Sequence, residues 1–150
     1  MQLEESHEPP CAKKQSRPTT ILAVEDDEAN RELIVLLIST LPAYHYCLVS
    51  NAYQALYVTK EVKPDLFLVD YRLPGMNGLK LYDQLHATPG LEAIPALLLT
   101  ATRLEELRPE IEQRQITVLE KPFDLDAFFL TVQRLLGQSP GEQRAEEDRT

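Results

Sequence analysis

The sequence predicts a doubly wound α/β domain, with a five-stranded parallel sheet and helices on both faces. Strand-like and helix-like stretches alternate five times between residues 19 and 137, joined by short connections, which makes parallel pairing the economical arrangement. The strand-like runs are continuously apolar, as strands buried on both faces are. Acidic, hydroxyl and basic residues recur at their carboxyl ends, where open parallel sheets place reacting groups. At 150 residues, 43% hydrophobic and 26% charged, the chain suits one globular domain.

Thr20–Val24 is the first strand and runs into four acids, Glu25-Asp26-Asp27-Glu28. A helix follows, with Leu33, Ile34, Leu37, Ile38 and Leu41 on one stripe, Leu36 at its margin and Val35 outside it; Pro42 ends it. Tyr46–Val49 forms a second strand, and Ser50 is placed to cap a helix carrying Ala52, Ala55, Leu56 and Thr59 on one face. Leu66-Phe-Leu-Val-Asp70 is the third strand, bounded by Lys63-Pro64-Asp65 and Pro74-Gly75, with Asp70 at its carboxyl end. Asn77 caps a helix from about Gly78 to His86, and Thr88-Pro-Gly90 breaks the chain.

Ile94–Thr100 is the fourth strand, with Pro95 tolerable near its start. Leu104, Leu107 and Ile111 have helical spacing, but Pro109 falls among them, so this helix is expected to kink or to begin at Pro109. Ile116–Leu119 is the fifth strand, leading to Glu120-Lys121-Pro122-Phe123. The last helix presents Leu125, Phe128, Phe129, Val132, Leu135 and Leu136 on one stripe and ends near Gly137. Residues 1–18 and 138–150 are polar and read as flexible extensions outside a domain of residues 19–137.

Composition narrows the function classes. The net charge of −9 repels phosphate backbones and anionic lipid, so direct nucleic-acid or membrane binding is not expected, whereas divalent cations and basic protein surfaces are suitable partners. Cys11 and Cys47 form no C-x-x-C pair and are expected to be reduced thiols. The first twenty residues hold no apolar run, and a cytoplasmic location is expected.

The chemistry gathers at the strand ends. Glu25 and Asp26 follow the first strand, Asp70 ends the third, Thr100 ends the fourth and Lys121 follows the fifth. Converging carboxylates repel one another unless a hard cation sits between them, and oxygen ligands suit Mg²⁺. With that charge offset, a carboxylate can act as nucleophile toward a phosphoryl group, while the lysine and the threonine hydroxyl engage its oxygens. No competing triad or glycine-rich phosphate loop is present. Each residue alone has an ordinary explanation: acidic runs are commonly solvated faces, and an Asp before Pro-Gly is commonly a turn residue. Their joint placement at successive strand ends is what favours phosphoryl transfer to an aspartate.

Ile21-Leu-Ala-Val-Glu-Asp-Asp27, Pro64-Asp-Leu-Phe-Leu-Val-Asp-Tyr-Arg-Leu-Pro-Gly-Met-Asn-Gly78, Thr100-Ala101 and Lys121-Pro-Phe123 together resemble the motifs of response-regulator receiver domains of two-component signalling, over residues 20 to about 137. The resemblance implies a flavodoxin-like sheet of order 2-1-3-4-5. It implies Asp70 as the phosphorylated aspartate and Mg²⁺ held by Glu25, Asp26, Asp70 and the backbone carbonyl of Arg72. Thr100, Ala101 and Lys121 would meet the phosphoryl group, with Asp27 ranking below the acidic pair. The implied donor is a phosphohistidine on a histidine kinase or phosphotransfer protein, and the implied activity is self-modification rather than turnover. A downstream protein target remains to be named, and a homodimer is one option.

The departures from the family pattern cluster. Val118 stands where an aromatic is usual, Gln113-Arg114-Gln115 replaces a Gly-Ala turn, and Pro109 interrupts the preceding helix. An aromatic relay through residue 118 is thereby excluded, so output is expected from another surface or by passing the phosphoryl group onward, with Val35 and Leu130 as candidate partner contacts. No output domain follows residue 137, and a stand-alone receiver is the leading expectation. The alternatives are a pseudo-receiver that takes no phosphate and a haloacid-dehalogenase-like phosphatase. The latter wants a second aspartate two residues after the first, where this chain has Arg72.

Overall fold

A computed structural model describes residues 18–41 and 44–137. Of the extensions expected at residues 1–18 and 138–150, all but residue 18 lie outside the described residues, as do the roles given to Cys11 and Pro42. The elements are β1 Thr19–Val24, α1 Glu28–Ser39, β2 Tyr44–Val49, α2 Ala52–Val58, β3 Leu66–Asp70, α3 Gly78–His86, β4 Ala96–Thr100, α4 Leu104–Arg114, β5 Thr117–Glu120 and α5 Leu125–Leu135. All four strand pairings are parallel, in the order β2-β1-β3-β4-β5.

The central strands are buried throughout, and their side chains divide between two cores with the period of two that a strand imposes. Leu22, Val24, Phe67, Val69 and Leu98 face α2 and α3, joining Ala52, Ala55, Leu81 and Leu85. Ile21, Ala23, Leu66, Leu68, Leu97 and Leu99 face α1 and α5, joining Ile34, Ile38, Phe128 and Val132. Asn77 caps α3 as expected, its side chain accepting from the Lys80 amide at 2.9 Å.

Several local expectations are corrected. The cap of α2 is Asn51, whose Oδ1 accepts from the Gln54 amide at 2.8 Å, while Ser50 bonds the Gln54 side chain instead. The register of a short helix decides which of two adjacent polar residues takes the capping position. Leu33 and Leu125, expected in buried stripes, are 49% and 47% exposed: Leu33 is turned away from the sheet beside the buried Ile34, and Leu125 opens α5 at its free end. Leu130 is exposed as expected, whereas Val35 is half-buried. α4 begins at Leu104 and continues through Pro109; the one backbone hydrogen bond that proline withdraws leaves a carbonyl on an exposed turn, where water can satisfy it. Expected as a reduced thiol, Cys47 is disulfide-bonded, since sequence spacing carries no information on the distance that decides pairing.

Candidate functional site

Parallel pairing brings the ends of β1, β3 and β4 and the start of the β5–α5 connection to one edge of the sheet. There Glu25, Asp26, Asp70, Arg72, Thr100, Ala101 and Lys121 line a single cavity of about 490 Å³. All the expected site residues but one are therefore brought together. Val118 lies away from the cavity, beside Leu98 on β4 and packed half-buried against the core under α2 and α3. A larger groove of about 710 Å³, between α2 and β2, holds none of these acids.

Asp70 is held by both carboxylate oxygens. Lys121 donates its Nζ to Oδ1 at 2.6 Å, and the Arg72 amide donates to Oδ2 at 3.1 Å. Lys121 also lies 3.8 Å from Glu25 Oε1, and its own amide donates to the Thr100 carbonyl at 2.8 Å, which fixes the start of the β5–α5 connection beside β4. The Lys121-Pro122 peptide is cis. Thr100 is buried, and its hydroxyl oxygen accepts from the Thr102 amide at 2.9 Å.

Glu25 is 1% exposed. Its Oε2 accepts from the Asp27 amide at 3.1 Å, but its Oε1 has no hydrogen-bond partner among the described residues. Burial pushes this carboxyl above its ordinary value. The Asp27 amide opposes that effect, the Asp70 charge adds to it, Lys121 opposes it and Asp26 adds to it. Oxygens of Glu25, Asp26 and Asp70 all lie within 4.8 Å of one another. Three converging carboxylates, one of them with a buried, unpartnered oxygen, form a donor set that fits a hard divalent cation. Asp27 also lines the cavity but is outside this group and caps α1, accepting from the Asn30 amide at 3.0 Å.

Two contributors were hidden in the sequence. Asn30, on the first turn of α1, lines the same cavity. Gly78 abuts Asp70 from the start of α3: a Cβ there would stand 2.5 Å from the Asp70 carbonyl oxygen and 2.9 Å from Leu98 Cδ1. A glycine opening a predicted helix was the signal, but only the tertiary approach gives it meaning.

Residues 21–133 match the family described as the response regulator receiver domain. The chain is 30% identical over 123 residues to the polar-differentiation response regulator DivK of Brucella anthropi, covering 81% of this chain and 99% of that protein. It is 33% identical to the phosphate regulon transcriptional regulatory protein PhoB of Pseudomonas aeruginosa over 84% of this chain, but spans only 56% of that protein. Among solved structures it is similar to the receiver domain of the sensor histidine kinase PA1611 of Pseudomonas aeruginosa, which has magnesium in its active-site cleft. That likeness has a TM-score of 0.73 and 29% identity, covering 81% of this chain and 99% of the other.

Proposed function

The chain belongs to the response regulator receiver domains of two-component signalling, and on that premise we propose that Asp70 accepts a phosphoryl group from the phosphohistidine of a histidine kinase or phosphotransfer protein. The observation that carries this reading is the Lys121–Asp70 contact of 2.6 Å inside a cavity where two further carboxylates converge.

A carboxylate oxygen of Asp70 attacks phosphorus, the P–N bond to the donor imidazole breaks, and that bond's electron pair leaves with the ring. The Arg72 amide holds Oδ2 in place at 3.1 Å, which limits rotation of the nucleophile. Lys121 lies where it can transfer its hydrogen bond from Asp70 Oδ1 to a phosphoryl oxygen, keeping the developing charge paired. Thr100 and Ala101 line the same cavity, and the Thr100 hydroxyl and the Ala101 amide would meet a second oxygen. Glu25, Asp26, Asp70 and the Arg72 carbonyl would hold Mg²⁺, which when bound offsets the carboxylate charge and orients the phosphoryl oxygens.

In this reading the protein signals by protein–protein docking or passes the phosphoryl group onward, as a self-modifying acceptor. A relative matched over 99% of its own length supports treating the receiver as a working unit. The dehalogenase-like alternative gains nothing, since Arg72 offers an amide and a carbonyl at the position where a second acid is required.

Intact mass after incubation with Mg²⁺ and a small acyl phosphate tests the reading. A gain of one phosphoryl group, lost in Asp70→Asn and in chelator, is expected. No gain from either the acyl phosphate or a panel of phosphohistidine proteins, with Mg²⁺ binding intact, would favour a pseudo-receiver.

A further inference from the structure

Of the described helices of more than two turns, α4 is the least secured. Its N-cap residue, Arg103, makes no side-chain capping bond, and Leu107 is its one buried residue. Pro109 lies inside it and cannot donate to the preceding turn. It closes on Gln115 at φ 57°, a left-handed conformation that residues with a Cβ seldom adopt. Few buried apolar contacts and an uncapped start are the marks of an element that opens locally.

Its carboxyl end, in contrast, is fastened. Arg114 donates Nε to Asp83 Oδ1 and Nη2 to Asp83 Oδ2, both at 2.8 Å. Its Nη1 donates to the Glu110 carbonyl at 2.9 Å, and the Tyr82 hydroxyl donates to the Arg114 carbonyl at 3.4 Å. The carbonyl of the last residue of α4 and one in the turn before it thereby accept from side chains. The Arg114 side chain is 19% exposed and Asp83 49%, so water partly screens the pair, and its hold on the helix comes from the two-pronged geometry. The α3 side is ordered in its own right: Tyr82 packs on His86 with ring centres 4.1 Å apart, and the His86 ring bonds the Ile94 carbonyl at 2.9 Å.

We propose that the Arg114–Asp83 pair is a latch that keeps α4 docked on α3, and that breaking it lets α4 open as a unit while the sheet stays closed. The sequence Gln113-Arg114-Gln115, a departure from the family pattern without an assigned role, is thereby given one. The latch reaches the site through α4 itself. The chain entering that helix contains Ala101, which lines the cavity, and Thr102, whose amide is held by the Thr100 hydroxyl. Arg114 is thus a positioning residue for that wall of the cavity. Its bearing on phosphoryl chemistry rests on the function proposed above, but the latch does not.

Hydrogen–deuterium exchange on the full chain, without phosphodonor, tests it with Arg114→Gln, Asp83→Asn, the double variant and Arg114→Lys. Arg114→Gln is expected to speed exchange of residues 104–114 and of the Thr102 amide by about fivefold, as loss of a well-ordered bidentate pair predicts, with β3 and β4 unchanged. The double variant should be no faster than the faster single one, and lysine, which keeps the charge but not the fork, should not restore protection. Unchanged exchange in α4, acceleration shared equally by β3 and β4, additive single effects, or full restoration by lysine would each overturn the latch. Failure of the wild-type protein to gain a phosphoryl group would count against the proposed function alone.

Discussion

Replacing Glu25 by glutamine should stabilise the metal-free protein and remove its response to Mg²⁺. The carboxylate is buried, with Oε1 unpartnered, and shares a space of 4.8 Å with oxygens of Asp26 and Asp70. At that separation each like-charge pair costs about 3.5 kcal/mol at an effective dielectric constant of about 20. Lys121, 3.8 Å away, offsets one such pair by about 4 kcal/mol, which leaves the second pair and the desolvation cost in excess. Glutamine keeps the acceptor for the Asp27 amide and adds a donor toward the carboxylates. Because Asp26 is exposed and water screens most of its repulsion, a net gain of about 1 kcal/mol is expected, or about 3 to 6 °C in Tm for a domain of this size.

With Mg²⁺ at about 100 times its Kd the wild-type protein should gain about 2.7 kcal/mol and overtake the variant. Differential scanning fluorimetry in chelator and in Mg²⁺ reads both arms. The pH dependence follows from the raised carboxyl of Glu25: protonation favours the folded state, so its contribution is fully present in acid and is lost as pH rises through the folded value. The gap between wild type and variant should therefore narrow on acidification. A lower Tm for Glu25→Gln in chelator, or an equal Mg²⁺ shift in both proteins, would refute the reasoning.

Gly78→Ala places a Cβ 2.5 Å from the Asp70 carbonyl oxygen and should cost about 1–3 kcal/mol in urea unfolding, with slower phosphoryl uptake than the stability loss alone explains. Lys121→Ala removes the 2.6 Å partner of Asp70 and should abolish uptake while tightening Mg²⁺ binding by calorimetry, since a competing cation leaves the cluster. Arg72→Ala keeps the amide that bonds Asp70 and should leave phosphoryl uptake unchanged; a changed rate of phosphoryl loss would instead assign the side chain a role at the acyl phosphate.

The sheet was legible because β1, β3 and β4 are apolar runs that no amphipathic helix would present, and because the reactive groups sit at their ends or within two residues beyond. Asp70, Glu25, Asp26, Thr100 and Lys121 were visible as a set for the same reason: parallel topology brings the ends of β1, β3, β4 and β5 to one edge. What stayed hidden depends on approach in three dimensions. The clash awaiting a side chain at Gly78, the disulfide at Cys47 and the uncovered faces of Leu33 and Leu125 are set by neighbours distant in sequence. Pro109 misled because the helix rule concerns a lost bond, and a helix on the surface can lose one to water.

The central claim, that Asp70 is the acceptor, is tested most directly by trapping the product. Borohydride reduces an aspartyl acyl phosphate to homoserine, and peptide mass mapping after treatment with Mg²⁺ and phosphodonor locates that residue. The account predicts homoserine at position 70 and at no other carboxylate, dependent on Mg²⁺. Homoserine at Asp26 or hydroxynorvaline at Glu25 in place of homoserine at position 70, or a phosphorylated protein with Asp70 unreduced, would contradict it.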